Sequence, residues 1–307
     1  MLNEVQEHIL QIVADMKGTG EGAVNIRSDG QKAFRRNSEH ITIESKTDKD
    51  GIDIRIAPGT KHESVHIPVV LTKPGFQDMV YNDFFVGEGA DVTIVAGCGI
   101  HSCGDCDSQH NGIHTFYVGK NARVKYIEKH YGEGEGSGKR ILNPQTILYL
   151  EEGATVTLET SQIRGVDDTK RFTKAECRGA NSEIVIREKL LTHGAQHAVS
   201  EMEVYLNGEG SRTQVVSRSV AQGSSSQVFY PRVEGNNRCF GHVQCDAIIM
   251  DSARVQAIPA ITCNHVDASL IHEAAIGRIA GDQILKLETL GLTPEQAEQK
   301  ILEGFLR

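Results

Sequence analysis

Hydrophobic and polar positions alternate at every second residue over much of the chain. Residues 41–43 and 52–56 place apolar side chains at every other position, which is typical of a strand with one buried face. Between residues 65 and 270, similar strands follow turns that contain Gly or Asn and then a small residue. The pattern predicts a chain built mainly of short β-strands joined by tight turns.

The small residue in this pattern recurs at a fixed interval. Ala90, Ala122 and Ala154 are each 32 residues apart, and weaker copies of the turn begin at Gly179 and Gly208. A fixed period of this length indicates stacked repeats. Because each unit is a strand and a turn without a helix, we expect a right-handed parallel β-helix, that is a β-solenoid. A β-sandwich with irregular loops is the alternative.

Helical spacing of apolar residues marks the N-terminal end of the chain. The stripe runs from Leu2 to Met16, and Asn3 and Gly18 are its expected caps. Short alternating segments follow it. We therefore divide the chain into an N-terminal part at 1–64 with a helix and short strands, a β-helix core at 65–270, and a C-terminal helical domain at 271–307.

Two short helices are predicted in the C-terminal domain. The first runs from Gly281 to Leu290 and ends at Gly291, and the second begins at Thr293-Pro294 with a capping pattern. Such a pair can cap the open end of the β-helix, and its apolar stripe can equally dock a partner protein. The candidate partner-binding residues are Ile284, Leu285, Leu287, Leu290, Ile301 and Leu302.

Composition narrows the possible functions. The chain has 32 basic and 41 acidic residues and a net charge of -9, which argues against a nucleic-acid partner. Its apolar runs fall far short of the ~20 residues that a membrane span needs, and its acidic start does not resemble an export signal. Seven cysteines, an odd number, fit a reduced cytoplasmic protein with metal or redox chemistry better than a disulfide framework.

A glycine-rich loop at 132–139 superficially resembles a phosphate loop. Glu133 stands where such a loop has glycine, and Arg140 stands where it has Ser or Thr. We therefore interpret the segment as an exposed loop, and we do not expect the chain to hydrolyse nucleotides itself.

A dense group of soft ligands lies near residue 100. Cys98, Cys103 and Cys106 fall within nine residues, with His101 and His114 close in sequence. Thiolates at this spacing can converge on one metal in a tight turn, whereas a zinc site of the common type needs a second such pair. These residues form either a metal or sulfur site or a polar loop whose groups satisfy one another.

The strongest set of motifs lies near the end of the predicted β-helix. It comprises Gly-His-Val-Gln-Cys-Asp at 241–246, Ile-Pro at 258–259 and His-Glu-Ala at 272–274, with further motifs at 114–119, 128–132 and 276–283. Taken alone, Cys245 is most often a small buried residue, and His272-Glu273 is consistent with helix capping. As a set, the motifs resemble the SufB/SufD family of iron–sulfur cluster assembly scaffolds from about residue 65 to the end.

The resemblance implies a fold and a set of partners. Family members have a β-helix core and a short helical C-terminal domain, dimerise through the β-helix, and bind a SufC-type ABC ATPase at that domain. We therefore expect a non-enzymatic scaffold that holds a transient iron–sulfur cluster, accepts sulfur from a donor protein and passes clusters to apo-proteins. The partner copy is either this same chain or a paralogous subunit, and ATP hydrolysis belongs to the ATPase.

The resemblance also implies the site residues. In SufB-like members the cysteine of the Gln-Cys-Asp motif and the glutamate of the His-Glu-Ala motif serve the nascent cluster, which here assigns Cys245 and Glu273, with His272 as a further ligand. The presence of Glu273 places the chain on the SufB side. Its 307 residues are fewer than in typical members, which have a large N-terminal helical region.

Three alternative functions differ in class. The first is a polysaccharide-active β-helix enzyme, which would use a carboxylate cluster and usually act outside the cell. The others are a zinc-binding interaction protein and a purely structural adaptor of an ABC-type ATPase that holds no cluster of its own.

Overall fold

The computed structural model describes residues 2–16, 18 and 20–306. Strands dominate the described chain, and helices occur at its two ends. In chain order the elements are α1 (Glu4–Ala14), β1 (Ala23–Ser28), β2 (Gln31–Arg36), β3 (Ile41–Ser45), β4 (Gly51–Ile56), β5 (Lys61–Leu71), β6 (Gln77–Val86), β7 (Asp91–His101), β8 (Ser108–Val118), β9 (Arg123–Glu133), β10 (Arg140–Leu142), β11 (Gln145–Leu150), β12 (Thr155–Arg164), β13 (Asp168–Cys177), β14 (Glu183–Thr192), β15 (His197–Leu206), β16 (Ser211–Ala221), β17 (Ser226–Gly235), β18 (Cys239–Ile249), β19 (Arg254–Ala257), β20 (Ala260–Cys263), β21 (Ala268–Gly277), α2 (Gly281–Glu288) and α3 (Pro294–Phe305).

Consecutive parts of the chain alternate between two sheets. One sheet has the strand order β2-β1-β5-β7-β9-β12-β14-β16-β18-β21, and the other has β19-β17-β15-β13-β10-β8-β6-β4-β3 with β11 and β20 beside it. Within the described residues, antiparallel pairing is confined to β1–β2 and β3–β4, and the later ladders are parallel. The chain is thus a β-solenoid of about 8 turns, which confirms the predicted fold class.

The alanines that set the predicted period stack inside the solenoid. Ala90, Ala122 and Ala154 are fully buried, and the amides of Arg123 and Thr155 donate to the carbonyls of Ala90 and Ala122. The interval then shortens, because Thr155 pairs with Glu183 and Ser211 pairs with Cys239. The 32-residue period therefore holds from β7 through β9 to β12, and the interval is 28 or 29 residues from β12 to β21.

One corner of the solenoid explains the alternation of Gly and Asn in the turns. Asn121, Gly153, Asn181 and Gly210 all have left-handed backbone conformations, with φ between 54° and 73°. Glycine and asparagine adopt this conformation at the lowest steric cost. The amides of Asn121 and Gly153 donate to the carbonyls of the next coil, so the corner is also a hydrogen-bonded stack.

Helix α1 covers the outer face of one sheet. Its N-cap is Asn3, as predicted, and it forms a capping box with Gln6. The helix ends at Asp15, which has φ 53°, rather than at Gly18 as the sequence suggested. Two glycines of β7 make the close packing possible, because a Cβ at Gly97 would lie 2.2 Å from the Val13 carbonyl oxygen, and one at Gly99 would lie 2.1 Å from an Ile9 methyl carbon.

The sheets extend beyond the core boundaries expected from sequence. Strands β1 and β4 pair in parallel with β5 and β6, and β21 pairs with β18 as far as Gly277. His272 and Glu273 therefore lie on a solenoid strand, and the helical segment begins at Gly281. Helices α2 and α3 form at the predicted positions, and Thr293 and Gln296 form a capping box.

Candidate functional site

A cysteine and a histidine meet on the inner side of the last coil. Cys245 lies on β18 and His272 on β21, and the Cys245 Sγ atom is 3.5 Å from His272 Nε2. Strand alternation explains the meeting, because Val243 and Cys245 point inward on β18 and His272 pairs in register with Val243. The structure thus brings together two of the three residues assigned as cluster ligands.

The surroundings of this pair favour the neutral forms of both groups. Burial raises the pKa of the Cys245 thiol to about 12, with further contributions from the negative charges of Glu188 and Asp246. Burial and the neighbouring His242 lower the pKa of His272. A thiolate at Cys245 would need a nearby cation, and the described residues place the carboxylates of Glu188 and Asp246 near it instead. A metal ion would supply the missing positive charge and deprotonate the thiol on binding.

Glu273 lies on the opposite face of the same strand. Its Oε2 atom is 3.3 Å from His242 Nε2, and its side chain is 64% exposed. The register accounts for this position, because Glu273 pairs with Gln244 and Cys245 pairs with Ala274. Residues that pair between β18 and β21 are 29 positions apart in sequence. Glu273 is only 28 positions after Cys245, so it lies one residue before the position that pairs with Cys245. A shift of one residue reverses the face of a side chain.

The last coil exposes many apolar side chains. The outer edge of β21 pairs with no other strand among the described residues. An exposed strand edge with apolar residues is a typical protein-contact surface. The exposed apolar residues of this coil and its neighbour are Phe240, Ile258, Ile261, Val266, Ile271 and Ile276.

The second candidate ligand set is dispersed in the structure. Cys98 is buried among apolar residues, and burial raises the pKa of its thiol. Cys103 and Cys106 are exposed, and the His101 ring lies 3.2 Å from Glu133. His114 is enclosed in the core, where its ring nitrogens bond to Tyr126 and Asn82. Across residues 2–16, 18 and 20–306, no three His, Cys, Asp or Glu side chains are grouped so that they could hold a metal.

Sequence reasoning missed a buried ionic cluster in the first half of the solenoid. Arg171 donates to Glu128 at 2.8 Å and contacts His130 at 3.0 Å, and all three side chains are almost fully buried. The contacts with His130 and Arg171 hold the pKa of Glu128 well below its usual range despite its burial. The alternation of β9 could have revealed this cluster in the sequence, because it places Glu128 and His130 on the same inward face as Tyr126.

A column of inward residues connects this cluster to the last coil. The strand registers place Glu128, Thr160, Glu188, Ser217 and Cys245 one above another on five successive strands. Glu188 accepts a hydrogen bond from Ser200 at 2.7 Å, and burial raises its pKa. Cys245 therefore ends a polar column inside the solenoid.

The C-terminal helices expose part of their apolar stripe. The side chains of Leu285 and Leu290 are 60% and 75% exposed, whereas Ala297 is buried. Arg218 of β16 donates to the carbonyl of Phe305 at 3.2 Å, which ties the end of α3 to the solenoid. Ile284, Leu287, Ile301 and Leu302 are half-buried. The helix pair thus offers an exposed apolar surface beside the last coils.

Known proteins resemble the chain over most of its length. A family model described as "SUF system FeS cluster assembly, SufBD core domain" matches residues 77–305. An iron–sulfur cluster assembly SufBD family protein of Archaeoglobus fulgidus is 28% identical over 90% of this chain and 73% of its own length. A relative with the same description from Methanothermobacter thermautotrophicus is 26% identical over 86% of this chain. The match covers only 64% of that protein's own length.

A third relative matches from end to end. A SufBD family protein of Methanocaldococcus jannaschii is 24% identical over 98% of both chains.

Among the residues that the structure describes, none of the helices has the length and apolar character to cross a membrane.

Proposed function

Because the chain belongs to the SufBD family of the SUF iron–sulfur cluster assembly system, we propose that it is a SufB-like scaffold on which clusters are built for transfer to apo-proteins. Family membership itself implies a role in cluster assembly. The observation that carries the finer proposal is the contact between Cys245 and His272 at the uncovered end of the solenoid. The cluster is cargo of this site, assembled there and released.

The chemistry of the pair suits assembly and release. A site that combines one thiolate with imidazole and carboxylate ligands exchanges metal more readily than an all-cysteine site. Cys245 provides the soft ligand, and His272 provides a neutral imidazole nitrogen. Glu273 and His242, on the outer face, provide an exposed carboxylate and a half-buried imidazole for incoming iron.

A second subunit completes the ligand set in this proposal. One chain contributes two inner ligands, and a cluster needs about four. A two-fold axis beside β21 would bring together two copies of each ligand, and the exposed apolar residues of the last coil would be buried in the same step. The partner is a second copy of this chain or a paralogous subunit.

The ATPase partner docks on the helix pair in this proposal. Leu285 and Leu290 are exposed there, and α3 is tied to the coils next to Cys245 through Arg218. Movement of the ATPase would therefore reach the last coil and could open the subunit interface. Replacement of Leu285 and Leu290 by Asp should abolish co-purification with a SufC-type ATPase. The matched control is Met79→Asp, an exposed apolar position on the solenoid.

Anaerobic reconstitution tests the scaffold proposal. The parent protein, supplied with ferric and ferrous iron and sulfide, should develop the absorption of an iron–sulfur cluster, and Cys245→Ser and His272→Ala should lose most of it. Cys263→Ser is the matched control, because Cys263 is an exposed thiol on the same coil. Equal cluster content in the parent and in both site variants would refute the proposed site.

The zinc-binding alternative centres on Cys98, Cys103 and Cys106. The buried position of Cys98 and the exposed positions of the other two give it no support among the described residues. Zinc without sulfide in anaerobically purified protein would favour that alternative. A structural adaptor would bind the ATPase normally and hold no cluster under any condition.

A further inference from the structure

A small cavity at the N-terminal end of the solenoid is surrounded by basic side chains. Its volume is about 130 Å³, and it lies between the β1–β2 hairpin and the turn that joins β3 to β4. Buried or half-buried residues of β4, β5 and β6 complete its walls. The charged residues that line it are Arg27, Lys32, Arg35, Lys46, Lys49 and Asp50.

The hairpin register concentrates positive charge on one side of the cavity. Arg27 pairs directly with Lys32, and Asn25 pairs with Arg35. Like charges directly opposite each other on a strand pair are destabilising unless an anion compensates them. Asp78 compensates Arg27 through a bond of 2.8 Å, and the exposed Asp50 lies 3.9 Å from the same guanidinium, so both of these carboxylates are directed at Arg27. Lys32 has no carboxylate partner among the described residues.

Arg35 is a half-buried cation of the cavity whose hydrogen-bond partners are neutral. Its Nε atom donates to Asn25 Oδ1 at 2.8 Å and its Nη1 atom donates to Ser45 Oγ at 3.0 Å, so both of these acceptors are neutral. Burial lowers the pKa of Arg35. No carboxylate in the described part of the chain forms an ion pair with it. A guanidinium has five N–H donors, and several of these are left for a ligand.

The opposite wall adds two lysines. Asp53 and Asp83 both bind the Lys46 ammonium, so that group is compensated. Lys49 lies over the Tyr81 ring at 4.5 Å and has no carboxylate partner in the described part of the chain. Arg35, Lys32 and Lys49 therefore remain as unpaired cations around one cavity, in a protein whose net charge is -9.

We propose that this cavity binds a small tetrahedral oxyanion of the phosphate class, with Arg35 as its principal donor and Lys32 and Lys49 as supporting cations. Arginine presents paired N–H donors that match two oxygens of such an anion. The volume exceeds the ~30 Å³ share of one liquid water and falls below the ~300 Å³ of pockets for drug-sized molecules. The ligand is therefore an inorganic oxyanion or the phosphoryl end of a small molecule, and this site is independent of the cluster site.

Titration calorimetry with inorganic phosphate tests the proposal. The parent protein should bind one phosphate per chain saturably in a chloride buffer, and Arg35→Gln should weaken that binding at least tenfold. Lys49→Gln should weaken it about threefold, and because Lys49 is exposed this variant is expected to fold normally. The matched control is Arg212→Gln, an exposed arginine remote in sequence that does not line the cavity, which should bind like the parent.

Further arms of the same experiment separate the outcomes. Thermal unfolding of each variant shows whether it is folded. If Arg35→Gln does not fold, the phosphate affinity of Lys49→Gln tests the proposal in its place. A small phosphomonoester that binds more tightly than inorganic phosphate would identify a phosphoryl end as the ligand. The absence of saturable binding by the parent at millimolar phosphate, or full binding by Lys49→Gln and Arg35→Gln, would overturn the proposal. Cluster reconstitution should proceed normally in both variants.

Discussion

Replacement of Arg171 by Met should strongly destabilise the solenoid. Arg171 and Glu128 form a buried ion pair at 2.8 Å, with side chains that are 7% and 2% exposed. Removal of one partner leaves the other as an uncompensated buried charge, which costs about 3–5 kcal/mol. The unfolding entropy of about 2.1 cal/mol/K per residue gives about 0.6 kcal/mol/K for 307 residues, so the expected decrease in Tm is about 5–8 °C.

Two further variants make the argument specific to the buried charge. Lys170→Met removes an exposed neighbour whose ion pair with Glu201 spans 3.2 Å, and it should cost at most about 1 kcal/mol. Glu128→Gln combined with Arg171→Met removes both charges and should recover at least half of the loss. Calorimetric unfolding at neutral pH measures the stability of Arg171→Met, of Lys170→Met and of the double variant.

The pH dependence provides an independent check. In the parent, the pKa of Glu128 is held low, so its contribution to stability is present above the pKa of an unfolded glutamate, about 4.3, and is lost as the pH falls through the folded pKa. Without Arg171 the pKa of Glu128 should rise. The stability deficit of Arg171→Met should therefore narrow as the pH falls from 7 to 4. A deficit below about 1 kcal/mol, or one independent of pH, would refute this reasoning.

Three other predictions concern the packing, the corner and the site. Gly97→Ala should loosen α1 at a cost of about 1–3 kcal/mol, because the new Cβ would meet the Val13 carbonyl at 2.2 Å, and hydrogen exchange of α1 should then increase. Asn121→Ala should cost about 1 kcal/mol in chemical unfolding because of its left-handed backbone, whereas Asn121→Gly should be nearly neutral. Cys245, whose pKa is raised to about 12, should react with iodoacetamide at pH 8 far more slowly than exposed Cys263, and equal rates would contradict the assigned burial.

The fold was predictable because its signals are local and repeated. Alternation indicates strands, and the regular return of Ala90, Ala122 and Ala154 indicates coils that stack. The change in coil length along the solenoid could not be predicted from the sequence. Insertion or loss of a few corner residues changes the length of a coil without changing the alternation within its strands. Helix α1 ended earlier than predicted, since Asp15 adopts the left-handed conformation that the sequence suggested for Gly18.

The proximity of Cys245 and His272 was predictable from the sequence, whereas the position of Glu273 was not. Cys245 and His272 meet as expected from their motifs. Glu273 lies on the other face, because the side of a strand depends on a register that a single residue reverses. Cys98 and Cys103 are close in sequence but differ in their surroundings. Cys98 is buried on β7, which ends at His101, and Cys103 lies in the exposed turn that follows.

The proposed ligation of a nascent cluster by His272 can be tested directly. Pulsed electron paramagnetic resonance of the reconstituted and reduced protein should detect a ¹⁴N coupling from an imidazole bound to iron. We expect this coupling in the parent and in Cys263→Ser, and we expect His272→Ala to lose it. A cluster that shows no nitrogen coupling in the parent, or an unchanged coupling in His272→Ala, would contradict the assignment of the Cys245–His272 pair as the assembly site.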